Sequence, residues 1–151
     1  MENIFKAWKT SRELYSAFLY QHSVEQLNTI PAGFNNNIIW NIGHVIVAQQ
    51  SLVYKSSDLN MHISDELFQR YKPGTKPLTP VVQEEISELK TLLTSLIAKT
   101  ENDFYNNKFT VFNERKTLTG FHLASLKDTF EFNNYHEGIH LGYIMSIKKF
   151  I

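Results

Sequence analysis

The chain contains no cysteine, and its 15 lysines and arginines balance its 15 aspartates and glutamates. Without cysteine it can form no disulfide, no thiol nucleophile of its own and no cysteine-ligated zinc site. The chain therefore has no net positive charge with which to neutralise phosphates, which argues against nucleic-acid binding as its main function. We therefore expect no nucleic-acid partner.

Long apolar runs are also missing. No segment approaches the ~20 consecutive apolar residues that a membrane span needs, and residues 1–5 lack the basic start and apolar block of a secretory signal. Hydrophobic residues make up 42% of the 151 residues and charged residues 20%, which is typical of a folded domain. We expect one globular domain over residues 1–151, with a cytoplasmic location and no membrane partner.

Apolar residues recur at helical spacing in four segments, which are residues 3–22, 38–54, 80–104 and 126–149. A long connection, residues 56–78, separates the second segment from the third and includes a possible short helix at 65–71. We predict an all-α fold, a four-helix bundle with a long connection between helices 2 and 3.

Capping residues support these boundaries. Ser23 begins a capping box, Asn35 to Asn37 offer N-caps for the second helix, and Ser125 with Asp128 offers one for the fourth. Thr79 followed by Pro80 predicts the start of the third helix. Residues 109–112 are strand-like, and a turn is expected at Thr119-Gly120.

The fourth predicted helix contains His136 and His140, separated by one helical turn. Side chains four apart lie on the same face of a helix, so two imidazoles at this spacing can bind one divalent metal. By the helical angle we place them on the inner face, with Thr129, Phe132, Asn133, Ile139, Tyr143 and Ile147. Glu137 completes the pattern His-Glu-x-x-His, which in zinc peptidases supplies a general base.

The peptidase interpretation fails at the third ligand. One class of these enzymes requires Gly and His where this chain has Tyr143 and Ser146, and another requires a Glu well downstream of the second histidine. Residues 141–151 contain no Glu, Asp or His. The third ligand must therefore lie upstream of the pair.

His44 is the best upstream candidate, because Trp40 and Ala48 mark an inward face on the second helix, and bundle ligands converge from facing helices. Asn41 precedes His44 by three residues, and Asn133 precedes His136 by three. Each Asn is predicted either to orient its histidine or to serve as a cap or solvated residue.

These motifs resemble the DinB-like superfamily of metal-binding four-helix bundles. The similar stretches are Asn37-Ile-Ile-Trp40-Asn-Ile-Gly-His44, Phe68 with Gly74-Thr-Lys-Pro77, and His136-Glu-Gly-Ile-His140-Leu-Gly142. The resemblance covers nearly the whole chain and implies a metal triad of His44, His136 and His140. Relatives include thiol-dependent S-transferases, isomerases and many members without a known activity, so the resemblance does not identify a reaction.

Three functions stay open for such a site. The first is a metal-dependent enzyme, either a hydrolase or a low-molecular-weight-thiol S-transferase, because three histidines leave a coordination position free. Glu137 is then either its base or one member of a surface ion pair. The second is a non-catalytic module that binds a metal or small molecule, and the third is a structural metal site. We expect zinc or nickel, with manganese or iron as alternatives, and Trp40, Asn41, Asn133 and Phe132 around the metal.

Gly138 and Gly142 lie opposite the histidine face, with Met145 nearby, and small residues at this spacing allow a second helix to approach. We expect a symmetric homodimer, the commonest form of oligomer.

Overall fold

The computed structural model describes residues 1–151, most of which lie in six helices. Four of them are long: α1 (Glu2–Gln21), α3 (Ile38–Val53), α5 (Gln83–Tyr105) and α6 (Leu126–Ile147). Two are short, α2 (Val24–Asn28) and α4 (Asp65–Tyr71), and 3-10 turns occupy Lys55–Ser57 and Lys148–Phe150. The only sheet pairs β1 (Arg115–Lys116) with β2 (His122–Leu123) in antiparallel register. None of the helices combines the length and hydropathy that a membrane span requires.

Helix α3 lies at the centre of the fold. It packs against α1, α2, α4, α5 and α6, and Ser51 is its only residue that is not buried. A helix that is apolar nearly all round has no face suited to water, which explains this central position. The polar side chains that α3 carries, including Asn41 and His44, are therefore placed inside the protein.

Two groups of buried side chains surround α3. The larger includes Tyr15, Ile42, Ile46, Leu89 and Ile144, and the smaller is rich in aromatic residues. In the smaller group Phe5, Trp8 and Phe130 meet edge to face, with ring centroids 5.0–5.6 Å apart. Edge-to-face contacts are favourable for aromatic rings, so this end of the fold is held by specific packing as well as by burial.

Helix α4, in the connection between α3 and α5, packs closely on α3 at Gly43. A Cβ at this glycine would fall 2.4 Å from the ring of Tyr71, which is closer than any van der Waals contact allows. The missing side chain therefore lets the end of α4 lie directly on α3.

One predicted helix boundary is wrong, and one strand-like segment is not a strand. Helix α5 begins at Gln83 rather than after Thr79-Pro80, because the Asn28 side chain donates to the carbonyl of Val81 (2.9 Å) and accepts from its amide (2.7 Å). This pairing keeps Val81 outside the helix. Residues 109–112 form no strand, whereas the turn at Thr119-Gly120 is confirmed and joins β1 to β2.

The predicted inner face of α6 is also partly wrong. Ile139 and Tyr143 are 40% and 50% exposed, whereas Glu137 and Ile144 are buried at 1% and 0%. Helix α6 is therefore rotated about its axis relative to the prediction, because Glu137 forms a buried ion pair with Arg12 of α1. Helix α6 packs against α1 as well as α3. Its buried face therefore includes Glu137, which helical periodicity did not place on the inner face.

Candidate metal centre

Three histidines from two helices meet beside α4. His44 comes from α3, His136 and His140 come from α6, and one ring nitrogen from each lies within 4.8 Å of the others. The Nε2 atoms of His44 and His136 are 3.3 Å apart. Nitrogens that share one tetrahedral metal at about 2.0–2.1 Å lie roughly 3.4 Å from one another, so little movement is needed to bind an ion.

Hydrogen bonds determine which nitrogen two of the rings offer. His44 Nδ1 lies 2.7 Å from the carbonyl oxygen of Tyr71, and His140 Nδ1 lies 2.8 Å from Oδ1 of Asn41. Oxygens of this kind only accept, so each Nδ1 carries the proton and each Nε2 keeps a lone pair. Such a partner behind the ring fixes the tautomer and the orientation that a metal ligand needs.

Asn41 orients His140, and not His44 as the sequence suggested. Its Nδ2 donates to Oδ1 of Asn36 (3.0 Å) and to the carbonyl of Asn37 (2.8 Å), which turns Oδ1 toward His140. Asn41 lies one helical turn before His44 on the side of α3 that faces α6. Its partner is therefore a residue of the neighbouring helix.

Asn133 makes no hydrogen bond to His136. Its Nδ2 donates to Oε1 of Glu137 at 2.8 Å, because residues 133 and 137 are stacked on the same stripe of α6. Nδ1 of His136 is buried and has no hydrogen-bond partner. His136 is therefore held by packing, which includes the stacked ring of Phe132 at 5.9 Å between centroids.

The electrostatic environment keeps all three rings neutral. Burial lowers the pKa of His44. Burial, followed by the charges of His44 and Arg12, lowers the pKa of His136 to about 3. Burial, followed by His136 and His44, lowers that of His140 to about 2. Neutral imidazole is the form that binds a metal, so the donor set fits a divalent ion such as zinc or nickel near pH 7.

Glu137 faces away from the surface and is held by the protein. Its carboxylate accepts from Nη2 of Arg12 at 2.7 Å, from Nε of Arg12 at 3.2 Å and from Asn133. Both members of the pair are 1% exposed. The backbone carbonyl of Glu137 accepts from the Tyr15 hydroxyl, and Arg12 also donates to the carbonyl of Val45. This network joins α1, α3 and α6 directly behind the histidines.

A cavity of about 310 Å³ opens beside the triad. His44 and His136 line it, together with Trp40, Leu52, Phe132 and residues of the β1–β2 hairpin, whereas His140 does not. The Trp40 ring stacks on His44 at 4.8 Å and its Nε1 donates to the Thr75 hydroxyl. A larger cavity of about 390 Å³ lies against residues 69–79 and contains no histidine. The lining residues therefore favour the smaller cavity as the ligand site.

The model of the DinB superfamily matches residues 7–144 of this sequence. The chain belongs to the DinB superfamily. The match spans α1 to α6 and includes all three histidines of this DinB-superfamily protein. No curated protein matches the sequence.

Sequence reasoning missed three parts of this DinB-superfamily site. Arg12 could have been found in the sequence, because it is a charged residue on the apolar face of α1, between Trp8 and Tyr15. The Tyr71 carbonyl and the side chain of Arg115, which lines the cavity, carried no signal in the sequence. Both depend on how distant segments pack.

Proposed function

We propose that this DinB-superfamily protein binds one divalent ion through His44, His136 and His140 and is a metal-dependent enzyme. The observation that carries the proposal is the cavity of about 310 Å³ next to His44 and His136. A structural metal needs closed coordination, whereas a catalytic metal needs a position that substrate can reach. Zinc or nickel suits three imidazoles best, with manganese or iron as alternatives.

Thiol transfer is supported better than hydrolysis. The ion would act as a Lewis acid that lowers the pKa of a bound thiol or water. No carboxylate lines the cavity, and Glu137 is occupied by Arg12 and Asn133. A thiol has a pKa of about 8.5 and water one of about 15.7, so thiol chemistry depends less on a base from the protein. The low-molecular-weight-thiol S-transferase is therefore our first choice and the hydrolase our second.

Glu137 is then better understood as a positioning residue. Its ion pair with Arg12 fixes the rotation of α6, and this rotation directs His136 and His140 toward His44. The role of general base stays a prediction, and the two roles are separated by the stability measurement described in the Discussion.

The remaining proposals concern architecture and assembly. We infer that α1, α3, α5 and α6, which pack side by side, form the four-helix bundle of the superfamily. A homodimer is supported by the outer face of α6, where Tyr135, Ile139 and Tyr143 are exposed and carry no charge. The cytoplasmic location stays a prediction.

Elemental analysis of untagged protein tests the metal. We expect about one ion per chain, and His140→Ala should lose most of it, with His22→Ala, away from the triad, as the control. Full retention of the metal by His140→Ala would refute the site.

Metal-loaded protein is then assayed with a low-molecular-weight thiol and electrophilic acceptors, and with esters. Ligand binding without turnover by any metal would favour the alternative, a non-catalytic binding module.

A further inference from the structure

Arg115 is the only charged residue among the thirteen that line the cavity beside the triad. It lies on β1, where it is paired with Leu123 of β2, and the turn of this hairpin forms one rim of the cavity through Thr117, Leu118 and Thr119. His44 and His136 line the same cavity. One cation of the protein, which is itself exposed to solvent, therefore borders the same open cavity as two of the candidate metal ligands.

The guanidinium of Arg115 has no partner within the protein. The adjacent carboxylate, Glu114, pairs instead with His122 at 3.0 Å. By contrast, Arg12 and Arg70 are each bound to a carboxylate, Glu137 and Glu85 respectively. An arginine that lines a cavity and binds nothing in the protein is available to a ligand.

The surroundings favour an anion. The cavity contains no carboxylate to neutralise Arg115, and a divalent ion on three neutral histidines would add further positive charge. A positive field in a concave, low-dielectric space attracts and retains anions. The chain as a whole has no net charge, so this preference is local to the site.

The shape and charge of the guanidinium indicate which class of anion Arg115 would bind. Its planar fork of donors matches a carboxylate or a phosphate in bidentate fashion. A single guanidinium balances the single charge of a carboxylate, whereas a phosphate ester carries close to two negative charges. Trp40, Leu52, Leu118 and Phe132 supply apolar lining, and Ser51, Thr117 and Thr119 supply hydroxyl groups. A volume of about 310 Å³ is at the low end of ligand sites, so the ligand is small.

We propose that Arg115 determines substrate specificity by binding the carboxylate of a small substrate whose reacting group lies at the triad. This inference rests on the proposed function, because it takes the triad as the reacting end. It assigns the substrate class: a small, largely apolar molecule that ends in a carboxylate.

Calorimetry with metal-loaded protein tests the assignment without an activity assay. The probes are ω-mercaptocarboxylates of increasing chain length and the methyl ester of each. The acid carries a negative charge at the end opposite the thiol, whereas its ester is neutral there. We expect the best acid to bind at least about tenfold more tightly than its ester, since only the acid offers the guanidinium a charged acceptor. In Arg115→Gln the acid should lose this advantage while the ester keeps its affinity.

Lys116→Gln is the matched control. Lys116 is the next residue of β1, does not line the cavity and points to the opposite face of the strand. Removing its charge should leave the preference for the acid intact. An effect of equal size in Lys116→Gln would mean that the general charge of the hairpin, and not Arg115, attracts the probe.

The outcomes separate this inference from the function on which it rests. Metal content is measured first, and its absence would refute the metal site itself. If the metal is present but acid and ester bind equally, or if Arg115→Gln keeps the preference, the carboxylate assignment is wrong and the metal site stands. If the corresponding ω-mercaptoalkyl phosphate binds more tightly than the carboxylate, the substrate class is a phosphate ester instead.

Discussion

At the scale of single residues, the depressed pKa values of the histidines lead to a testable pH dependence. Metal-free native protein keeps His136 and His140 neutral down to about pH 3 and about pH 2, whereas in the unfolded chain each ring takes up a proton near its ordinary pKa of 6.5. Below pH 6.5 the unfolded state therefore binds more protons, so stability is full above that value and falls as pH decreases.

The free energy of unfolding of the metal-free protein should accordingly fall between about pH 6.5 and pH 5, by at most about 2 kcal/mol for each of the two histidines. Urea unfolding at the two pH values measures it, and His140→Leu should show a smaller fall. An equal fall in both proteins would mean that His140 has an ordinary pKa when folded.

The ion pair of Arg12 and Glu137 gives a second prediction at this scale. Glu137→Gln leaves the buried guanidinium without its counter-charge, which should cost about 3–5 kcal/mol of stability. The double variant Arg12→Met with Glu137→Gln removes both charges and should recover a large part of that loss.

Urea unfolding of the single and double variants measures this coupling. If Glu137 is instead the general base, Glu137→Gln should lower turnover while stability and metal content stay at the wild-type level. That combination would contradict the positioning role.

At the scale of secondary-structure elements, the contact between α4 and α3 controls one ligand. The Tyr71 carbonyl that orients His44 lies at the end of α4, and it can reach His44 because Gly43 has no side chain. Gly43→Ala should displace Tyr71, lower stability by about 1–3 kcal/mol through overpacking and weaken metal binding by about tenfold or more.

Gly138→Ala is the control for this change. A Cβ at Gly138 would meet nothing within 4 Å in its own chain, so alanine should leave the metal affinity unchanged. A competitive chelator titration measures metal affinity in both variants. Unchanged affinity in Gly43→Ala would show that the Tyr71 carbonyl does not matter for the site.

At the scale of the whole molecule, the helices should not depend on the metal. The two groups of buried apolar residues that surround α3 supply the main driving force for folding, and the histidines are neutral without an ion. Chelation should therefore preserve the helical circular dichroism while removing any activity. Loss of the helical signal would instead favour a structural metal.

The outer face of α6 gives a prediction about assembly. Gly138 and Gly142 have open space where a Cβ would lie, and exposed apolar side chains flank them, so a second copy can approach closely. Light scattering should give the mass of a dimer for the wild type and of a monomer for Gly142→Glu. Ser95→Glu adds the same charge on the exposed side of α5 and should remain dimeric. A wild type that is monomeric at high concentration refutes the dimer.

The sequence by itself determined the local features of this protein. The caps at Asn37 and Ser125, the short helix α4, the central burial of α3 and the one-turn spacing of His136 and His140 all depend on residues within a few positions of one another. Helical periodicity and capping act over this range, so they can be read directly from the order of residues.

Only the tertiary structure decided how these features combine. Arg12 meets Glu137 across 125 positions, and Asn41 meets His140 across 99. The first contact rotates α6 and makes Ile139 and Tyr143 exposed, and the second gives Asn41 a partner other than its neighbour His44. Periodicity defines the faces of one helix but not which face of another it meets, because that choice is set by packing and buried charge across the whole core.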